Sequence, residues 1–113
     1  MGLSAAQFRH GPIEIINAEF GAIVFTGCSN SKMMNKQLVT DISAFGGKVI
    51  VVTPELENYS DPSVMECVIP MEDCDLLPLT EILPIQRLAI QLASAQGFEA
   101  GVFKNAGKVT VTE

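Results

Sequence analysis

The stretch KVIVVTP, residues 48–54, constrains the fold more than any other part of the chain. Val49, Ile50, Val51, Val52 and Thr53 are β-branched in unbroken succession. A strand with one wet face alternates apolar and polar residues, whereas a continuous apolar run belongs to a strand covered on both faces. Such strands occur in mostly parallel sheets whose crossover helices provide the cover.

The surrounding sequence agrees. AIVFTG, residues 22–27, is a second short β-prone run, and SNSK follows it, where Ser29 or Asn30 is placed to cap a helix. Met33, Met34, Leu38, Val39, Ile42 and Phe45 recur at helical spacing, and Gly46-Gly47 stops that helix. After KVIVVTP comes a polar loop, ELENYSDPS, and then MECVIPM, residues 65–71, a third short strand that Pro70 ends. A second helix is expected with Pro84 in its first turn, Ile85, Leu88, Ala89, Leu92, Ala93 and Ala95 on its apolar face, and Gly97 at its close. The tail GVFKNAGKVTVTE lacks a helical period and reads as an extended or irregular arm. Residues 1–113 contain no linker or repeat and are expected to form a single domain of the α/β class. Three strands make a thin parallel sheet, and the chain opens abruptly at MGLSAAQF, so the sheet is expected to be completed by another chain or by more of a longer protein.

The totals exclude several functions. A formal net charge of −6, with seven scattered basic residues, does not suit phosphate neutralisation along a nucleic acid. No apolar run reaches the ~18 residues of a membrane span, and no secretory signal opens the chain, so a cytoplasmic protein without a membrane partner is expected. Cys28, Cys67 and Cys74 are odd in number and fit neither a disulfide framework nor a CxxC metal site; reduced thiols, one or two of them buried, are the expectation. The acidic run Glu72, Asp73 and Asp75 reads as a solvated loop, no metal site is expected, and TGCSNS carries no nucleotide or cofactor fingerprint. Its Ser29, Asn30 and Ser31 do stand at a strand-to-helix junction, where backbone amides favour an anion; plain helix capping is the alternative.

Four segments in order carry a resemblance: QFRHGPIEII leading into AIVFTG, then LPIQRLAIQLASAQG, then NAGKVTVTE. Together they resemble the C-terminal part, about two-thirds, of the second sugar isomerase (SIS) domain of glucosamine–fructose-6-phosphate synthases and their aminosugar-phosphate deaminase and isomerase relatives. The resemblance runs from Gln7 to Glu113. It implies a three-layer α/β/α, flavodoxin-like fold, incomplete in this chain. It also implies a phosphosugar isomerase or aminosugar-phosphate deaminase lineage acting on substrates of the fructose-6-phosphate and glucosamine-6-phosphate type, without metal or organic cofactor. By position, His10 matches a histidine that opens the sugar ring and reaches the neighbouring subunit's site, and Lys108 a lysine of the loop that closes on the sugar. Arg9, with Ser29, Asn30 and Ser31, is assigned to substrate binding.

The chemistry is coherent. Ring opening needs one group that donates and accepts a proton near neutral pH, and imidazole does so. Isomerisation then needs a carboxylate to carry a proton between adjacent carbons, and a cation beside the developing enediolate. Two departures stand out. Gln7 occupies a position where the family usually has Glu, and the helix that carries the shuttle carboxylate, like the first SIS domain with its phosphate pocket, has no counterpart here. The implied partners are a sugar or aminosugar phosphate and a second copy or a complementing SIS chain. The isolated chain is expected not to isomerise a sugar. A non-catalytic phosphosugar-binding or assembly module is the alternative.

Overall fold

The computed structural model describes residues 2–99 and Val102. In chain order the elements are α1 (Ala5–Arg9), a 3-10 turn (Pro12–Ile15), β1 (Gly21–Phe25), α2 (Lys32–Ala44), β2 (Lys48–Thr53), β3 (Val64–Val68), a second 3-10 turn (Cys74–Leu76) and α3 (Leu77–Ala95). The strands form one parallel sheet in the order β1-β2-β3, with Val24 opposite Val51 and Val51 opposite Glu66. This is the α/β arrangement that the β-branched run requires, with KVIVVT as the central strand.

The main core lies between the sheet and α2. Val24 from β1, Val49 and Val51 from β2, and Leu38, Val39 and Ile42 from α2 are buried together with Ala5 of α1. The α2 helix ends as its glycines dictate. Gly46 takes a positive φ of 88°, and the Gly47 N–H donates to the Ile42 carbonyl at 3.0 Å. A Cβ on Gly47 would stand 2.7 Å from Ile42 Cγ2, so this turn sits directly against the core.

No helix crosses from β2 to β3. A loop over residues 54–63 does so and shares the α2 face of the sheet, with Tyr59 packed against the core there. The loop is held from within the sheet: the Glu66 carboxylate of β3 accepts the backbone N–H groups of Glu57 and Tyr59, both at 2.8 Å. These two charge-assisted bonds secure a segment that lacks a hydrogen-bond ladder of its own.

The opposite face is less covered. Val52, Ile69 and Leu77 make a small second cluster at its carboxyl end, with Cys28 and Cys67 against it. Beyond it a cavity of about 590 Å³ lies between Ile23, Ile50 and Met65 of the sheet and Leu88 of α3. Leu77 is the one buried residue of α3.

Two expectations need correction. The second helix begins at Leu77, not at Pro84, because Pro78 takes the first-turn position and leaves Pro84 inside the helix. Ahead of the turn at His10 and Gly11 stands α1. It forms because Ser4 and Gln7 make a capping box, in which the Ser4 N–H donates to Gln7 Oε1 at 2.9 Å and the Gln7 N–H donates to Ser4 Oγ at 3.2 Å. The three cysteines are not all free thiols. Cys28 and Cys74 form a disulfide, which leaves Cys67 free. The chain path brings the two together from 46 residues apart, a proximity that spacing along the sequence does not reveal.

Candidate functional site

In open parallel sheets ligands bind beyond the carboxyl ends of the strands. Here that edge gathers the turn after β1, the loop after β2 and the segment leading to α3. Thr26, directly after β1, and Thr53, the last residue of β2, are fully buried. Thr53 Oγ1 donates to the Glu55 carbonyl at 2.8 Å, and Asn35 Nδ2 of α2 donates to the Thr26 carbonyl at 3.1 Å, so both turns are tied down.

Ser29, Asn30 and Ser31 are exposed at the start of α2. Ser31 is the residue before the first turn, yet its side chain makes no capping bond; its hydroxyl lies 2.9 Å from that of Ser29 instead. The two hydroxyls face each other at a helix N-terminus, where the peptide dipoles favour an anion.

Next to them is a cluster of charges that sequence reasoning missed. Lys32 Nζ lies 2.7 Å from a Glu55 carboxylate oxygen and 3.5 Å from one of Glu57, while Lys36 pairs with the other oxygen of Glu57. The hydrogen bond to Glu55 is the main reason the Lys32 ammonium titrates above its usual range. The bond from Lys36 holds the Glu57 carboxyl below its usual range. Burial raises the Tyr59 phenol beside them. The Lys32 and Lys36 spacing of one helical turn was legible in the sequence; the approach of Glu55 and Glu57 depends on where the 54–63 loop passes. Two cations against two carboxylates leave no net positive charge, so Lys32 can meet a phosphate only by leaving Glu55, whose side chain is 67 % exposed.

Arg9 and His10 lie elsewhere. Arg9 Nη2 bonds Asp41 Oδ2 at 2.5 Å, and Asp41 also accepts from Gln37 at 2.9 Å. Asp41 is nine residues along α2 from Lys32, or roughly 14 Å at 1.5 Å per residue. His10 caps the C-terminus of α1, donating its backbone N–H to the Gln7 carbonyl at 3.3 Å, and its side chain is exposed. The structure therefore brings Arg9 and His10 together, and Ser29, Asn30 and Ser31 together, but sets the two groups at opposite ends of α2. Lys108 lies outside the described residues. Among the described residues no group of His, Cys, Asp and Glu is arranged to hold a metal ion, and no helix is long and apolar enough to cross a membrane.

No protein-family model matches the chain. Curated proteins do. A glutamine–fructose-6-phosphate aminotransferase [isomerizing] of Chlorobaculum tepidum is 25 % identical over 113 residues, that of Brucella abortus 27 % over 114, and that of Streptomyces coelicolor 28 % over 117. The chain has distant relatives among these aminotransferases. Each alignment takes in 99 % of this chain. The chain spans 18–19 % of the length of the relatives it matches.

Proposed function

We propose that this chain is a phosphosugar-handling unit of SIS type, in the lineage of ketose–aldose phosphosugar isomerases, aminotransferases and deaminases. The observation that carries the reading is the alignment of nearly the whole chain with enzymes whose names specify fructose 6-phosphate and isomerisation. The parallel sheet, with its residue cluster at the carboxyl edge, is compatible with a flavodoxin-like, three-layer domain over residues 1–113 in a cytoplasmic protein.

In this reading His10 moves a proton between the ring oxygen and the anomeric hydroxyl of a cyclic hexose phosphate. Its exposed position and distance from residues 29–31 suit a histidine lent to a neighbouring subunit's site. Arg9 stands next to it, its guanidinium paired with Asp41. Ser29, Asn30 and Ser31 receive the phosphate, and Lys108 closes on the sugar. The carboxylate that carries a proton between carbons comes from another segment or subunit, so the isolated chain does not isomerise, and the working form is a homo-oligomer or a pair with a complementing SIS chain. The alternative, a phosphosugar-binding or assembly module without turnover, is favoured by the separation of the two residue groups along α2.

The test follows deuterium exchange at carbon 1 of fructose 6-phosphate in deuterated water. The chain alone should not exceed the buffer rate. Complemented by a chain that supplies the missing SIS segment, it should, and His10→Asn should then lower exchange from the cyclic sugar by roughly 10²-fold or more, with little loss on an open-chain substrate. Exchange by the chain alone would show a complete site. No exchange in the complemented form would leave the binding module as the reading.

A further inference from the structure

The attachment of α3 to the sheet rests on a narrow base. The helix runs for 19 residues, yet Leu77 at its first position is the one it buries. Leu77 meets Val52 and Ile69 in the small second cluster, and Cys28 and Cys67 pack against that same cluster. Immediately before Leu77, Cys74 opens the 3-10 turn that feeds the helix, with its Cα 5.9 Å from that of Cys28 and a disulfide between them. All three cysteines of the chain thus lie on strands and turns that meet at the base of α3. Cys28 is half-buried; Cys74 is exposed and open to a small reagent.

We propose that Cys28 and Cys74 form a reversible thiol–disulfide clamp, which reacts with low-molecular-weight thiols and disulfides and controls the docking of α3. The inference does not rest on the phosphosugar reading. In reduction, a small thiolate attacks the sulfur of Cys74, the more exposed of the two residues. The Cys28–Cys74 bond breaks, Cys28 leaves as a thiolate that takes a proton from water, and Cys74 holds the small thiol as a mixed disulfide. A second small thiolate attacks the sulfur of that adduct, releases Cys74 as a thiolate, and leaves as a small-molecule disulfide. Two electrons have passed from the small thiols to the protein. Oxidation is the reverse, with the small-molecule disulfide as oxidant. An exposed residue such as Cys74 suits this exchange, since access governs its rate as much as thiolate character does.

The clamp has consequences at both ends. At Cys74 the bond fixes the base of a helix that little else holds. At Cys28 it fixes the turn that continues directly into Ser29, Asn30 and Ser31. Reduction frees both, while the main core of Val24, Val39, Ile42, Val49 and Val51 does not include either cysteine.

The experiment equilibrates the full chain with reduced or oxidised glutathione, alkylates the free thiols and counts the labels by mass. Hydrogen exchange is then followed by mass spectrometry in both states. Oxidised glutathione should leave one label, on Cys67, and reduced glutathione three. On reduction, amide exchange across residues 77–95 should accelerate at least tenfold, with residues 38–42 and 49–53 unchanged within twofold. Cys74→Ser and Cys28→Ser should show the reduced pattern in either buffer, and Cys67→Ser should respond as the parent chain does. In-place reduction of the parent chain carries the test if either variant folds poorly. Three labels in oxidised glutathione would overturn the proposal, as would identical exchange in the two states. Loss of protection in α2 and β2 together with α3 would also overturn it, because the bond would then be a cross-link of the whole fold.

Discussion

Glu57 and Glu81 show how position alone sets the behaviour of one residue type. Glu57 sits between Lys32 and Lys36, chiefly hydrogen-bonded to Lys36, and its carboxyl titrates below the ordinary value of 4.5. Its folded pKa is depressed, so the stability it contributes is complete above the ordinary value and is lost as pH falls through the folded value. Glu81 on α3 has a buried carboxylate oxygen without a partner among the described residues, and burial raises its pKa. The sign is opposite: its charge costs nothing at low pH, and the cost grows as pH rises from the ordinary value through the raised one. Glu57→Gln should therefore lower the melting temperature at pH 7 by roughly 3–6 °C, the equivalent of about 0.5–1 kcal/mol for a partly buried pair, and the effect should shrink as pH falls toward 3. Glu81→Gln should raise it at pH 7 and leave it unchanged at pH 3. Thermal unfolding at the two pH values checks both, and a shift of the wrong sign at pH 7 would contradict the environment described for that residue.

Among the elements, α3 departs furthest from local rules. Pro84 lies inside it, where it has no N–H to donate to the Thr80 carbonyl and its ring crowds that carbonyl. Thr80 Oγ1 donates to the Leu77 carbonyl at 2.9 Å. With so little tertiary burial, α3 relies on its own backbone bonds more than α2 does. Pro84→Ala restores one bond and removes the ring, a change worth up to about 3 kcal/mol in a helix interior. Amide exchange over residues 80–95 should slow by at least tenfold in that variant, with β2 unaffected. Equal exchange in the two chains would mean that α3 is held by contacts other than its own ladder. The capping box of α1 is the contrary case: Ser4 and Gln7 satisfy each other's backbone within three residues, so that short helix needs no distant partner to start.

At the scale of the molecule, the radius of gyration is 16.7 Å, against about 13 Å for a compact domain of 100 residues. The excess goes with a sheet covered on one face by α2 and the 54–63 loop, and on the other only at its carboxyl end. Ile23, Phe25 and Met65 remain exposed on the uncovered side, at 39 %, 38 % and 67 %. An apolar face next to a β1 edge that pairs with no other strand among the described residues favours self-association or a complementing chain. Sedimentation at micromolar concentration should show a dimer or larger species, and Met65→Lys should shift it toward monomer; a monodisperse monomer in the parent chain would refute this. The sheet and α2 were legible in the sequence because their causes are local. Five β-branched residues in a row admit few environments, the 3.6-residue period places Leu38, Val39 and Ile42 on one face, and Gly46-Gly47 can end a helix without strain. The order His10 then Ser29 was equally plain, but not the pairing of Arg9 with Asp41 at the far end of α2, since linear order says nothing of which end of a helix a side chain reaches. Only the tertiary structure decided the Cys28–Cys74 bond, the lysine–glutamate cluster and the sparse burial of α3. Each of these depends on where a loop or helix crosses the sheet, a long-range contact set by the balance of burial against chain entropy and carried by no local pattern of residues.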